Sequence, residues 1–173
     1  MKRGVLELID LFCPKAYVSS VFDVDLQQMT RQGIKGIFLD LDNTIIRRDV
    51  ALFSPDMVRW LQELRCRGFK VVVVSNNSHK RVSDLVDPLG IPAVCRAVKP
   101  WKRPFRRALE ILGTEPRETA LIGDQIFTDI FGGNRMGLYT ILVKPMPGRE
   151  FWGTKLFSRQ LEKLILKRIG KFF

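Results

Sequence analysis

A set of short, almost purely aliphatic runs, spaced along the first 150 residues, constrains the fold of this chain more than any other feature. They are Ile37-Phe38-Leu39, Val71 to Val74, Ala93-Val94-Cys95, Ala120-Leu121-Ile122 and Tyr139 to Val143. A strand with one wet face alternates apolar and polar residues. These runs do not, so both of their faces must be covered, as in a parallel sheet flanked by helices. The segments between them read as helices. Ser54-Pro55 is an N-cap followed by proline at the first helical position, Met57, Trp60, Leu61 and Leu64 share one face, and Gly68 is a stop. Val82, Leu85 and Val86 form a shorter stripe closed by Pro88 and Gly90. Phe105, Ala108, Leu109 and Leu112 form a third, ending at Gly113. This alternation predicts right-handed crossovers and a doubly wound, Rossmann-like α/β domain over residues 1–150. Residues 1–33 read as an extension: a helix, an irregular stretch, and a second helix near Asp23.

A length of 173 residues suits one domain, and 46% hydrophobic residues with 27% charged can bury a core, which excludes global disorder. No apolar run approaches the roughly 20 residues of a spanning helix. Glu7 and Asp10 interrupt the N-terminal apolar stretch that a secretory leader would need. Three cysteines, Cys13, Cys66 and Cys95, form no CxxC pair and read as reduced thiols of a cytoplasmic protein. With His79 as the single histidine, a Ser-His-Asp triad or a histidine metal cluster is poorly supported. Carboxylates are left to carry the chemistry.

In open α/β sheets ligands bind beyond the carboxyl ends of the strands, so the residues after each apolar run are the informative ones. They are Asp40-Leu41-Asp42-Asn43-Thr44, then Ser75-Asn76-Asn77, then Lys99-Pro100, then Gly123-Asp124-Gln125-Ile126-Phe127-Thr128-Asp129. Four carboxylates, a hydroxyl and an ammonium thus converge at one end of the sheet. Two carboxylates two residues apart on a strand end project the same way. One can attack phosphorus while the other protonates the leaving oxygen and later activates water. Clustered carboxylates call for a cation, and an all-oxygen donor set favours Mg²⁺. Ser75 and Lys99 would supply donors to the charge that develops in transfer. By contrast, Asp23-Val24-Asp25 reads as a helix cap with a first-turn acid, and Gly132-Gly133 and Gly137 as helix-end turns, since no Walker A or G-x-G-x-x-G pattern is present.

Taken in order, these four segments resemble the motifs of the haloacid-dehalogenase-like phosphatases, over about residues 36–143, and the whole chain is most similar to the YqeG group. That group is related to mitochondrial phosphatidylglycerophosphatases. The resemblance implies Asp40 as nucleophile and Asp42 as general acid/base. It also implies Mg²⁺ held by the Asp40 and Asp124 side chains and the Asp42 carbonyl, with Ser75 and Lys99 binding phosphate. Asp129 is the second acid of the fourth motif, and Asn43 and Asn76 are supporting residues. The implied activity is a Mg²⁺-dependent phosphomonoesterase acting on a lipid phosphate such as phosphatidylglycerol phosphate.

The gaps 43–74 and 76–98 already hold a helix and a strand each. A folded cap would need about 50 more residues, so an uncapped site open to large substrates is expected. The net charge of +11 is unevenly placed, with six basic residues and no acid between positions 96 and 107. That cluster suits an anion-recognising rim beside the site. With Trp101 and Phe105 set among these bases, a nucleic-acid or ribosome partner, or a macromolecular phosphatase substrate, is the alternative. The tail 151–173 carries six basic residues against Glu162, while Phe157, Leu161, Leu164, Ile165, Ile169 and Phe172 recur at helical spacing. It reads as an interfacial helix lying on an anionic membrane, which would place the protein peripherally on the inner face, or else as a helix packed on the domain. The oligomeric state has no signature in the sequence.

Overall fold

The aliphatic runs form a six-stranded, wholly parallel sheet. The computed structural model describes residues 9–147; the tail 151–173, and with it the expected boundary at residue 150, lies outside them. The strands are β1 (Ala16–Val18), β2 (Gly36–Leu39), β3 (Lys70–Val74), β4 (Ala93–Val94), β5 (Thr119–Gly123) and β6 (Tyr139–Val143). Their order across the sheet is β1-β6-β5-β2-β3-β4. The helices are α1 (Leu26–Arg31), α2 (Pro55–Cys66), α3 (His79–Val86), α4 (Lys102–Leu112) and α5 (Phe131–Met136).

Successive residues of each strand feed opposite cores. Ile37, Leu39, Val71, Val73, Ala120 and Ile122 pack with Met57, Leu61 and Leu64 of α2 and Val82 and Leu85 of α3. Phe38, Val72, Val74 and Leu121 point the other way, against Phe105, Ala108 and Leu112 of α4. Two apolar faces per strand explain why the runs are continuous. The caps are local chemistry: the Ser54 hydroxyl accepts the Met57 N–H at 3.2 Å ahead of α2, and Asp25 accepts that of Gln28 at 2.8 Å ahead of α1. Asp23 sits in a preceding 3₁₀ turn, Val21–Asp23, so the Asp23-Val24-Asp25 pair is structural, as its cap-like spacing suggests.

Two expectations need correction. The irregular stretch before α1 contains β1, which pairs with β6 as an edge strand, Ala16 opposite Ile141. Three residues with one exposed are too few to show a period. Gly132 and Gly133 are not end turns but lie inside α5. A Cβ on Gly132 would stand 2.6 Å from the Phe105 ring, and one on Gly133 2.6 Å from the Thr140 methyl. Both glycines let α5 close onto α4 and the sheet. Gly137 does end α5, with φ +76°.

From β2 the chain moves outward to β3 and β4, then returns to the other side of β2 as β5. The strand order therefore reverses between β2 and β5, where the loops leave in opposite directions and open a crevice at the carboxyl end. Among the described residues, the segments 43–54, 75–78 and 95–101 hold no additional domain over that end.

Candidate active site

Asp40 directly follows β2, and its N–H donates to Ile122 O at 2.9 Å, which locks it against β5. Asp124 follows β5, and Asp129 lies in the π-helical turn Ile126–Ile130. Among the described residues, the Asp40, Asp124 and Asp129 carboxylates come within 4.8 Å of one another. Lys99 reaches into the cluster from the loop after β4, its Nζ 2.5 Å from Asp40 Oδ1 and 2.6 Å from Asp129 Oδ1. Thr44 Oγ1 lies 3.3 Å from both Asp40 Oδ2 and Asp124 Oδ1, shared between them. All five residues are buried.

Electrostatics make the cluster incomplete as protein alone. Burial pushes the Asp40 carboxyl up to about 6; Lys99 opposes the shift and Asp129 reinforces it. Burial, with Asp40 and Asp129 beside it, pushes Asp124 up to about 8. For Lys99, burial alone would lower the ammonium, but Asp129 and Asp40 outweigh it and hold it above its ordinary value. Among the described residues one ammonium faces three carboxylates, a deficit of positive charge that a divalent cation would fill. The donors are all oxygen, His79 is exposed and the cysteines lie outside the cluster, so the set fits Mg²⁺ better than zinc.

Asp42 does not join this cluster. Its Oδ2 accepts from Asn77 Nδ2 at 2.8 Å, and its Oδ1 accepts from Arg81 Nη2 and Nε at 2.9 and 3.2 Å. Arg81 also donates to the carbonyls of Val50 and Arg47 at 3.2 and 3.3 Å, tying the 43–53 flap to α3. Arg81, Thr44 and Asn77 are not among the catalytic, phosphate-binding, metal-holding or supporting residues expected from the sequence. A signal existed for Arg81: the first turn of α3 reads His79-Lys80-Arg81, a basic run where the helix dipole favours acids, which points to a specific acidic partner.

Ser75 is buried at the end of β3, where its hydroxyl accepts the Asn77 N–H at 3.1 Å; it does not cap α3, whose N-cap is Ser78. Asn76 Oδ1 accepts the Lys99 N–H at 2.8 Å, so this supporting residue positions the lysine's backbone. Asn43 has φ +63°, a left-handed turn that asparagine tolerates, and its buried Oδ1 finds no hydrogen-bond partner. A groove of about 460 Å³ lined by Arg65, Phe69, Lys70 and Ile91 lies at the opposite, amino end of the strands, away from this chemistry.

Gly123 leaves no room for a side chain beside Asp129. A Cβ there would stand 2.5 Å from Asp129 Cγ and Oδ2. Gly123→Ala is expected to cost about 1–3 kcal/mol, as overpacking does, and to lower turnover by displacing the carboxylate that holds Lys99. Urea denaturation and phosphate release check both. Wild-type values for the two would show that Asp129 has room to move.

An acid pair at the switch point, a buried lysine and a strand-end serine on a doubly wound sheet define a phosphoryl-transfer hydrolase core. The chain matches the model of the haloacid dehalogenase-like hydrolases over residues 48–137 and that of the mitochondrial PGP phosphatases over residues 3–87. It is 37% identical to the probable phosphatase YqeG of Bacillus subtilis, with 92% of each chain covered. The phosphatidylglycerophosphatase GEP4 of Saccharomyces cerevisiae is 31% identical, over 87% of this chain and 84% of that one. A chloroplastic and mitochondrial phosphatidylglycerophosphate phosphatase of Arabidopsis thaliana is 28% identical, and there this chain spans 47% of the relative's length. Among solved structures, an uncharacterized protein of Listeria monocytogenes superimposes with a TM-score of 0.55 at 17% identity, covering 77% of this chain and 98% of that one. The octulosonate 8-phosphate phosphatase YrbI of Haemophilus influenzae gives 0.53 at 16%, over 65% and 69%. At such identities these two speak for the fold alone. The chain belongs to the haloacid dehalogenase-like hydrolases, in the YqeG group, and is a phosphoric monoester hydrolase.

Proposed function

We propose that the protein is a Mg²⁺-dependent phosphomonoesterase that works through an aspartyl-phosphate on Asp40, with a lipid phosphate such as phosphatidylglycerol phosphate as substrate. The observation that carries the reading is the buried Asp40–Asp124–Asp129 cluster with Lys99 at the reversal of strand order. An Asp40 carboxylate oxygen attacks phosphorus, and the bond to the leaving alkoxide breaks as Asp42, protonated and turned from Arg81 and Asn77 towards the leaving oxygen, delivers its proton. Asp42, then ionised, takes a proton from water as that water attacks the phosphoryl group, releasing phosphate and restoring Asp40. Lys99 and Ser75 neutralise and orient the phosphoryl oxygens, and Asp129 holds Lys99 in place. Asp40, Asp124 and the Asp42 carbonyl would hold Mg²⁺, with Asp129 close by; when bound, the ion offsets the negative charge of nucleophile and phosphoryl group together.

Support for a lipid substrate comes from the names of the relatives and from the open mouth, which leaves a headgroup in a bilayer accessible. On this reading the protein works peripherally at a membrane, and no helix among the described residues is long and apolar enough to cross one. The test is a Mg²⁺-supported phosphate-release screen of phosphatidylglycerol phosphate in mixed micelles, sugar phosphates, nucleotides, phosphopeptides and 5′-phosphorylated RNA. Preference for the lipid is expected, with Ca²⁺ inhibiting because its looser, higher coordination misplaces the nucleophile. Full activity after exhaustive chelation rejects the metal, and preference for RNA selects a macromolecular substrate instead.

A further inference from the structure

The three most exposed large hydrophobic residues among those described, Leu52, Val98 and Trp101, are 77%, 60% and 66% exposed. All three sit on loops at the carboxyl end of the sheet, where the site opens. Leu52 is in the flap after β2; Val98 and Trp101 bracket Lys99 in the loop after β4. The backbone enforces this arrangement. Val98 has φ +53°, where a β-branched residue is a steric outlier. Its neighbours are tied down, Ala97 N–H to Ser75 O at 3.0 Å and Lys99 N–H to Asn76 Oδ1 at 2.8 Å. Ala97 and Lys99 therefore turn inward while Val98 stays out.

Charge surrounds these tips. Arg96, Lys102 and Arg103 flank Val98 and Trp101; Arg47 and Arg48 precede Leu52, Arg47 in an exposed ion pair with Asp49. The described chain also ends at this edge, with Met146 N–H donating to Asn43 O at 2.8 Å. Residues 151–173 hold six basic residues against Glu162, with apolar residues at helical spacing. Aliphatic and aromatic tips ringed by arginine and lysine match an anionic lipid interface. Single-stranded nucleic acid would call for stacking platforms, which leucine and valine do not provide.

We propose that this face docks on an anionic bilayer, with Leu52, Val98 and Trp101 entering the interfacial layer and the basic residues meeting lipid phosphates, so that the site opens onto the headgroups. The purpose of such docking rests on the lipid-phosphate reading above; its physical basis does not.

The full chain carrying Trp152→Phe leaves buried Trp60 and exposed Trp101 as its fluorophores. On vesicles of phosphatidylglycerol and phosphatidylcholine with brominated acyl chains, Trp101 emission is expected to shift blue and be quenched, less so as salt rises. A Leu52→Glu, Trp101→Glu double variant should lose vesicle affinity on the order of tenfold or more, while its turnover of para-nitrophenyl phosphate is unchanged. Vesicle binding with Trp101 unquenched, or undiminished in the double variant, overturns the proposal and assigns binding to residues 148–173. Quenching by RNA with no response to vesicles overturns it in favour of nucleic acid. Docking without hydrolysis of detergent-dispersed phosphatidylglycerol phosphate upholds the surface and rejects the substrate. Hydrolysis of that substrate without Trp101 insertion rejects the surface alone.

Discussion

Asp40→Asn should fold normally and lose turnover by a factor on the order of 10⁴ or more. An amide has almost the volume of the carboxylate; with its oxygen turned to accept from Lys99, its NH2 faces the Thr44 hydroxyl, which can accept, so the crevice between β2 and β5 need not change. It cannot, however, form the acyl-phosphate. The substitution also removes one of three mutually repelling buried carboxylates while Lys99 keeps Asp129. In chelator, then, the variant should be at least as stable as the wild type, a combination that misfolding would not produce. Steady-state phosphate release and thermal unfolding in EDTA test the two halves. Wild-type-like turnover rejects the covalent route. Asp42→Asn should lose roughly 10²–10⁴-fold, the range for a general acid/base, and with a good leaving group it should show a burst as the second step becomes limiting.

Lys99→Met should have the largest effect on stability, because it removes the one ammonium among the described residues in contact with Asp40 and Asp129. Deleting one partner of a buried ion pair costs roughly 3–5 kcal/mol, and here the loss strands carboxylates that burial already disfavours. Mg²⁺ should return much of that stability, since a ligand that binds the folded state alone stabilises it by about 2.7 kcal/mol at a hundred times its Kd. The gap in Tm between Mg²⁺ and EDTA should therefore be wider for Lys99→Met than for the wild type. Turnover should stay low in both buffers, because on the proposed mechanism the metal does not replace Lys99 as donor to the phosphoryl oxygens. Equal gaps would mean that the lysine and the metal do not share one electrostatic site.

Much of this architecture could be read before any coordinates. Each of the five apolar runs is a strand, within a residue or two, because burial on two faces leaves no room for polar residues. Ser54-Pro55 and Gly113 mark helix ends because their chemistry is local. Asp40, Asp124, Asp129 and Lys99 could be brought together on one argument, that loops at the carboxyl ends of adjacent strands meet. What stayed hidden depends on partners far away in sequence. β1 exists because β6 offers it an edge. Gly132 and Gly133 are small because Phe105 and Thr140 press against them. Arg81 finds Asp42 across 39 positions. Asp129 was expected at this end of the sheet as a supporting acid, and it lies within the same 4.8 Å cluster as Asp40 and Asp124. The π-helical turn that carries it there has no pattern of its own in the sequence.

The pairing of β2 with β5 also bears on when the chain can become an enzyme. Asp40 meets Lys99 across 59 positions, and Thr44 meets Asp124 across 80. No hairpin, single helix or local fragment contains the cluster, and parallel topologies of this kind fold slowly because long loops must close before any contact rewards them. The carboxylates repel one another, so they cannot help to draw the strands together; the aliphatic faces must do that. Catalytic competence is thus a late event in folding, and a nascent chain should acquire it only once residues beyond Asp129 have emerged and β5 has settled beside β2.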